Sequence, residues 1–149
     1  MHEFEQLEDA VLTALESMTS VSVRTIEPYA GQLEVDDLTR ITARFPCIYV
    51  IADGLRVVRK NSIDECTMSL MLLIGDKNYR SNSASARGDT IAPGIYAILE
   101  AVRGVLHRKK LLTGWSPAYL TAEEPKGYEP RKGLCLYTAT YEIQAQRKL

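Results

Sequence analysis

The fold is decided by the terminal stretch Leu134-Cys135-Leu136-Tyr137-Thr138-Ala139-Thr140-Tyr141-Glu142-Ile143-Gln144-Ala145. Successive side chains of a β-strand point to opposite faces of its sheet, so this stretch has two distinct faces. The apolar face contains Cys135, Tyr137, Ala139, Tyr141 and Ile143. The other face is mostly polar. The pattern predicts a long strand whose apolar face joins the core and whose polar face is partly wet or covered by another subunit.

A helix and a polar connection precede this strand. Apolar residues recur at helical spacing from Ile91 to Leu106, and the helix runs into the basic stretch His107 to Lys110. Residues Trp115 to Thr121 are predicted to form a short strand. The stretch Glu123 to Gly133 is polar and broken by proline and glycine, which predicts a charged loop before the last strand.

The first third of the chain begins with an amphipathic helix. Its apolar residues share helical spacing: Phe4, Leu7, Val11, Leu15 and Met18. Acidic residues occupy its first turns, where the helix dipole favours negative charge. The β-branched stretch Val21 to Ile26 predicts a strand. A shorter helix is predicted from Asp36 to Phe45, and Pro46 ends it.

The middle of the chain predicts buried strands separated by turns. The predicted strands are Cys47 to Ala52, a polar edge strand from Leu55 to Lys60, and a second central strand from Cys66 to Ile74. Asp53-Gly54 and Asn61-Ser62 are turn signals between them. The polar stretch Gly75 to Asp89 is long for a simple connection, so it is expected to be mobile or functional.

The order of the predicted elements is α-β-α-β-β-β-α-β-β. Short turns between adjacent strands favour a mostly antiparallel or mixed sheet, with two long helices and one short helix packed on it. A chain of 149 residues is long enough to bury one core. We therefore expect an α+β fold that forms a single domain over residues 1–149.

The composition excludes several classes of protein. With 46% hydrophobic and 25% charged residues the chain is typical of a globular protein. No apolar run approaches the ~20 residues of a membrane helix. The acidic N-terminus does not resemble a signal peptide, so a cytoplasmic setting without membrane contact is expected. No Cys-x-x-Cys, Walker loop or glycine-rich nucleotide motif is present, so we expect no metal site and no cofactor.

The sequence offers little for catalysis. His107 is the only plausible base, and a cation at a helix C-terminus is favoured by the dipole without any catalytic role. The paired acids are sequence neighbours and do not face each other on a helix or strand. We expect no catalytic residue. The alternative, a small hydrolase or nucleotide-handling enzyme, requires a pocket where Cys47, Cys66 or Cys135 meets His107.

Charge is divided unevenly along the chain. Residues 1–54 contain 10 acidic and 3 basic side chains, whereas residues 55–149 contain 9 acidic and 15 basic ones. Such a division allows copies of the chain to meet head to tail through complementary fields. The residues predicted for an oligomer or partner interface are Arg56, Arg59, Lys60, Lys77, Arg80, Arg87, Lys126, Arg131 and Lys132. Solvated loops are the alternative, and sparse aromatic residues argue against a dedicated nucleic-acid site.

Several stretches resemble the tail terminator family of Mu-like phages and prophages. They are the N-terminal helix, Val23-Arg24-Thr25-Ile26-Glu27-Pro28-Tyr29-Ala30-Gly31-Gln32-Leu33, Asp37-Leu38-Thr39-Arg40, Arg44-Phe45-Pro46, Gly94-Ile95-Tyr96-Ala97-Ile98-Leu99-Glu100-Ala101-Val102-Arg103-Gly104-Val105-Leu106 and Leu136-Tyr137-Thr138-Ala139-Thr140-Tyr141-Glu142-Ile143. The resemblance covers most of the chain and rests on residues that support the fold.

The resemblance implies a structural virion protein that forms a homo-oligomeric ring, expected to be a hexamer. Such a ring caps the tail tube, stops its polymerisation and joins it to the head connector. Its expected partners are copies of itself, the tail tube and sheath proteins and the head connector, with DNA only as passing cargo. The expected location is the tail end facing the head, after assembly in the host cytoplasm. A head-side neck or adaptor protein is the alternative.

Overall fold

A computed structural model describes residues 1–31, 44–77, 94–129 and 134–149 of the chain. In this part of the chain the helices and strands are α1 (Glu3–Glu16), β1 (Thr25–Pro28), β2 (Cys47–Lys60), β3 (Ile63–Lys77), α2 (Gly94–Leu106), β4 (Tyr119–Glu129) and β5 (Leu134–Arg147). The expected α+β fold is confirmed. The predicted short helix from Asp36 to Phe45 falls almost entirely outside the described residues.

The strands form one mixed sheet in the order β1-β2-β3-β5-β4. β1 pairs with β2 in parallel, and every other pair is antiparallel. β3 and β5 lie at the centre, where Leu70 pairs with Tyr141 and Leu72 pairs with Ala139. These paired residues point to the same face, as the alternation of the two strands predicts.

Both helices cover that face and bury the main core. α1 contributes Leu7, Val11 and Leu15, and α2 contributes Ile95, Ile98, Leu99, Val102 and Leu106. Each fully buried aliphatic side chain stabilises the fold by about 1.5–3 kcal/mol relative to exposure. α1 is capped at its start, because the His2 Nδ1 atom accepts a hydrogen bond from the Phe4 amide at 3.1 Å.

The second face of the sheet has a smaller apolar cluster at one end. Its buried members are Cys47, Tyr49, Leu73, Leu134 and Leu136, and Tyr29 and Phe45 pack beside them. Farther along this face the alternating residues Thr67, Ser69 and Met71 are only half-buried. The predicted partly wet face of the sheet is therefore confirmed along its middle.

The structure corrects the predicted turn at Asp53-Gly54. β2 continues from Cys47 to Lys60 as one strand, and a bulge between Ala52 and Leu55 takes up the extra residues. Gly54 adopts a φ of 114°, a conformation that side chains disfavour. Residues 55–60 therefore pair with β3 and are not a separate edge strand. The turn at Asn61-Ser62 is confirmed, with Asn61 at a φ of 57°.

Several further boundaries differ from the prediction: β3 runs from Ile63 to Lys77, β4 begins at Tyr119, and β5 continues to Arg147. β1 begins at Thr25, so Val21 to Arg24 lie outside the strand. The predicted loop after Glu123 is instead the second half of β4, which extends to Glu129. β4 is an edge strand, and its pairing shifts between Pro125 and Gly127, so a residue without an N–H is tolerated there.

Candidate functional site

The long strands give the sheet two ends that differ in chemistry. We call the end at the β2–β3 turn, residues 56–65, the hairpin end. The distal end is the opposite one, where Lys77 pairs with Leu134. α1 begins at the hairpin end, since Glu3 forms an ion pair with Arg147, which pairs with Asp64. α2 begins toward the distal end, where the Tyr96 ring lies 5.9 Å from the Tyr137 ring.

The structure separates the basic residues that the sequence singled out. Arg56, Arg59 and Lys60 lie together on β2 at the hairpin end. Lys77 and Lys126 lie in the distal half of the sheet, on β3 and β4. The remaining predicted interface residues, Arg80, Arg87, Arg131 and Lys132, lie outside the described residues. The predicted interface residues that the structure describes therefore form two groups, one at the hairpin end and one in the distal half of the sheet.

All residues of the hairpin end from 56 to 63 are exposed. It carries three exposed β-branched apolar residues, Val57, Val58 and Ile63, at 42%, 47% and 45% of their full accessibility. Val58 pairs with Glu65 and Lys60 pairs with Ile63, which places Val58 and Ile63 diagonally on one face. The hairpin end therefore combines an apolar surface with positive charge.

Two carboxylates form ion pairs next to the turn of this hairpin. Arg59 donates to Asp64 at 3.0 Å, and the Leu149 amide donates to the other carboxylate oxygen of Asp64 at 3.1 Å. These two donors lower the pKa of Asp64. Lys60 and Glu65 form a second ion pair at 3.1 Å. Both cations remain mostly exposed, but each is paired with a carboxylate, whereas Arg56 forms no salt bridge with the described residues.

A groove runs between the end of α1 and the outer side of α2. It has a volume of about 580 Å³. One wall is formed by Met18 and Val21 after α1, and the floor by Ala97, Ala101 and Gly104 of α2. A Cβ atom added to Gly104 would meet no other atom within 4 Å, so the floor of the groove is open.

Acidic residues lie beside this groove. Glu100 lines it from α2, and Glu16 lines an adjoining pocket that shares Met18 and Val21 with it. Both glutamates are exposed. Neither forms a salt bridge with the described residues. The α1–α2 groove is therefore apolar at its floor and negative at its rim.

A bidentate ion pair fixes α2 against β4. Arg103 donates to the two carboxylate oxygens of Glu123 at 2.5 and 2.6 Å. Because Arg103 is half exposed, the pair contributes no more than about 1 kcal/mol to folding. Tyr141 lies beneath it with a buried hydroxyl that has no hydrogen-bond partner among the described residues, and burial raises its pKa.

The cysteines and His107 occupy structural positions. All three cysteines are buried. Burial raises the pKa of Cys47 to about 12 and also raises the pKa of Cys66, which disfavours the reactive thiolate. The Leu120 amide donates to Nδ1 of His107 at 3.1 Å, and Tyr119 packs edge-on against the ring. Through these contacts His107 links the end of α2 to β4.

The described ranges contain no group of three or more His, Cys, Asp or Glu side chains arranged to hold a metal ion. Among the same residues no helix has the length and apolarity needed to cross a membrane. The hairpin end and the α1–α2 groove are two exposed surfaces of unlike composition in the described part of the chain.

Sequence reasoning identified the cations of the hairpin end. It did not predict that apolar residues would be exposed there, and it did not predict the groove. Val57, Val58 and Ile63 are apolar residues in a predicted strand region, where burial is the ordinary expectation. The small residues Ala97, Ala101 and Gly104 recur on one face of α2 and were the available signal for a groove. That signal is weak, because small residues also occur where helices pack closely.

Comparison with known proteins identifies one family. The family model described as "Bacteriophage Mu, Gp37" matches residues 3–143, which is nearly the whole chain. No curated protein matches the chain. The match includes the hairpin end, the groove and both helices. It also includes every described strand, apart from the last residues of β5.

Proposed function

The chain belongs to the bacteriophage Mu Gp37 family, and from that premise we propose that it is a phage tail terminator. In this role copies of the chain form a closed ring, expected to be hexameric, on the end of the tail tube. The ring stops further polymerisation of the tube and offers its other side to the head connector. The protein acts by shape and by binding copies of itself and tail proteins, and it transforms no substrate.

The observation that carries this proposal is the presence of two exposed surfaces of unlike composition, one on the sheet and one on the helical layer. A closed ring of identical subunits uses two different patches on each copy, one meeting the other across every interface. The hairpin end offers exposed cations and β-branched residues. The α1–α2 groove lies on the helical layer and has an acidic rim.

The exposed side of α1 adds to this division of charge. Glu5, Asp9 and Glu16 are exposed along the helix, whereas its opposite side is buried against the sheet. Complementary charge between subunits accelerates association and fixes its orientation more than it adds affinity. The acidic helix of one copy can therefore guide the basic end of the next.

The direct test is the mass of the assembled protein, measured alone and on isolated tail tubes. We expect a discrete ring by native mass measurement or electron microscopy, either free or formed on the end of the tube. A labelled protein should appear at the tail end that faces the head. The proposal fails if the protein stays monomeric at all concentrations and also on tubes. Label at the portal alone would instead identify a neck or adaptor protein.

Charge reversal at Arg131 and Lys132 provides a second test of the sequence-based interface. We expect weaker assembly with an unchanged fold, because charged side chains that the sequence predicts to be solvated contribute little to folding. Circular dichroism and thermal unfolding check the fold, and native mass measurement checks assembly. Unchanged assembly would exclude these two residues from the subunit interface.

A further inference from the structure

We propose that the hairpin end of one copy docks in the α1–α2 groove of the next copy, and that this contact closes the ring. The inference rests on the proposed ring function and names the two surfaces that meet in it. The occupant of the groove is therefore a second copy of this chain. Four observations lead to this pairing: the shape of the hairpin, the open floor of the groove, the charges beside each, and their separation within one subunit.

The hairpin end presents an exposed turn with apolar side chains on both of its faces. Its tip, residues 60–63, extends past the end of the β3–β5 pairing, which stops where Asp64 pairs with Arg147, and all residues from 56 to 63 are exposed. Val58 and Ile63 lie on one face, and Val57 lies on the other. Three exposed β-branched residues so close together are costly to leave in water, and their rigid side chains lose little conformational freedom when covered. The tip and the exposed apolar residues beside it are thus suited to contact with another subunit.

The groove is open to solvent, and Gly104 on its floor is exposed. Ala97, Ala101 and Gly104 let a partner approach the α2 backbone closely, because they present little or no side chain. The open space above Gly104 is bounded by Met18 and Val21 on the side of α1. Apolar β-branched side chains of the partner would cover this half-buried surface.

The charges beside the two surfaces are opposite in sign. Arg56, Arg59 and Lys60 flank the apolar residues of the hairpin, and although Asp64 and Glu65 pair with two of them, residues 56–65 keep a net charge of +1. Glu16 and Glu100 lie beside the groove, and neither is used in a salt bridge within the described residues. Docking brings the two sets together at the rim, where such pairs select the partner and its orientation.

The two surfaces are too far apart to meet within one copy. The position of Gly104 along the sheet follows from its neighbour Arg103, which binds Glu123 of β4. Glu123 pairs with Ala139 of β5, and Ala139 pairs with Leu72 of β3. Gly104 therefore lies near the level of Leu72. Leu72 is seven residues along β3 from Glu65, the partner of Val58. At about 3.3 Å per residue the separation along the sheet is roughly 23 Å. The contact is therefore between copies, and it repeats from one copy to the next.

The first test joins the two surfaces covalently. The double variant Val58→Cys/Ala101→Cys should form disulfides between copies under mild oxidation, giving a ladder of bands that ends at the closed ring. Each single variant is its own control and should give no ladder. The native cysteines are buried and so do not compete under native conditions. A ring of normal mass that forms no ladder would overturn the inference and leave the ring function standing.

The second test reverses charge on each side in turn. Arg56→Glu/Lys60→Glu and Glu16→Lys/Glu100→Lys should each weaken assembly by about tenfold or more at low salt. Mixing the two variants should restore heterologous contacts, which native mass measurement detects as mixed assemblies. The matched control is Lys109→Glu/Lys110→Glu, which reverses two exposed charges away from both surfaces and should assemble normally.

The third test fills the groove. Gly104→Phe places a ring in the open space and should abolish assembly, whereas Gly104→Ala should leave assembly unchanged. Circular dichroism and thermal unfolding confirm that both variants fold. Normal rings from Gly104→Phe would show that the groove is not a subunit contact. If wild-type protein and every variant remain monomeric on tail tubes, both this inference and the proposed function are wrong.

Discussion

The same substitution at two glycines is expected to change stability in opposite directions. At Gly75 in β3, an added Cβ atom would lie 2.9 Å from Leu136 Cδ2, 2.9 Å from Phe45 Cε1 and 3.0 Å from Cys47 Sγ. At Gly104 in α2, an added Cβ atom would meet nothing within 4 Å. Gly75→Ala should therefore destabilise the protein, and Gly104→Ala should stabilise it.

The magnitudes follow from packing at one site and backbone entropy at the other. Overfilling a packed cluster costs typically about 1–3 kcal/mol, and three close neighbours limit relaxation at Gly75. Replacing glycine by alanine also offsets part of this cost by reducing the freedom of the unfolded chain. We expect a net loss of about 1–2 kcal/mol for Gly75→Ala. In an exposed helix interior the same change adds about 0.5–1 kcal/mol, which is the expected gain for Gly104→Ala.

Thermal and urea unfolding of the two variants provides the assay. For a domain of this size 1 kcal/mol corresponds to about 2–4 °C in Tm, so Gly75→Ala should melt several degrees below the wild type and Gly104→Ala slightly above it. The measurements belong at a concentration where the protein is monomeric, because assembly adds its own stabilisation. The reasoning is refuted if both variants shift in the same direction.

Two further substitutions test buried polar groups. Because Arg59 and the Leu149 amide lower the pKa of Asp64, its carboxylate stabilises the fold above the unfolded pKa of about 3.9, and this contribution is lost as pH falls through the folded pKa. Asp64→Asn should therefore lower the urea midpoint at pH 7, and its difference from wild type should shrink as the pH falls below about 3.9; a difference that does not change with pH would contradict this. Tyr141→Phe removes a buried hydroxyl without a partner among the described residues, so stability should be unchanged or higher by up to about 1 kcal/mol. A clear loss in thermal unfolding would mean that the hydroxyl is bonded.

The central strands could be predicted from the sequence because each of their faces has a distinct composition. In β5 the alternation from Cys135 to Ile143 separates core residues from the half-wet face, and the observed register agrees with it. A slip of one residue would expose the whole apolar set, so pattern and structure are tightly linked. The helices were predictable for a similar reason, since their apolar residues repeat every third or fourth position.

The errors fell where local signals have two structural meanings. Asp53-Gly54 favours a hairpin turn, yet the same glycine conformation serves in a bulge. The pairing of Leu55 with Met68 decides between them, and that contact depends on β3. Pro125 and Gly127 suggested a loop, but an edge strand tolerates both. Position in the sheet, which the sequence does not state, determined these outcomes.

The candidate contact surfaces were predictable only in part, because they are made in three dimensions. The cations of the hairpin end are adjacent in sequence and were identified. The groove joins Met18 and Val21 to Ala97 and Gly104, residues about 80 positions apart that meet only after folding. No local pattern marks such a pairing, and its acidic rim is formed from two different helices.

The cations of the hairpin end have a second physical explanation, and the two explanations predict different results. Beyond Val50 the outer edge of β2 pairs with no strand in the described part of the chain. Natural sheets protect exposed edges with charged side chains, and Arg56, Arg59 and Lys60 can serve that purpose. Edge protection depends on the presence of charge and not on its sign. Docking against Glu16 and Glu100 depends on the sign. Arg56→Glu/Lys60→Glu keeps the edge charged, so a loss of assembly in this variant is expected from docking and not from protection alone.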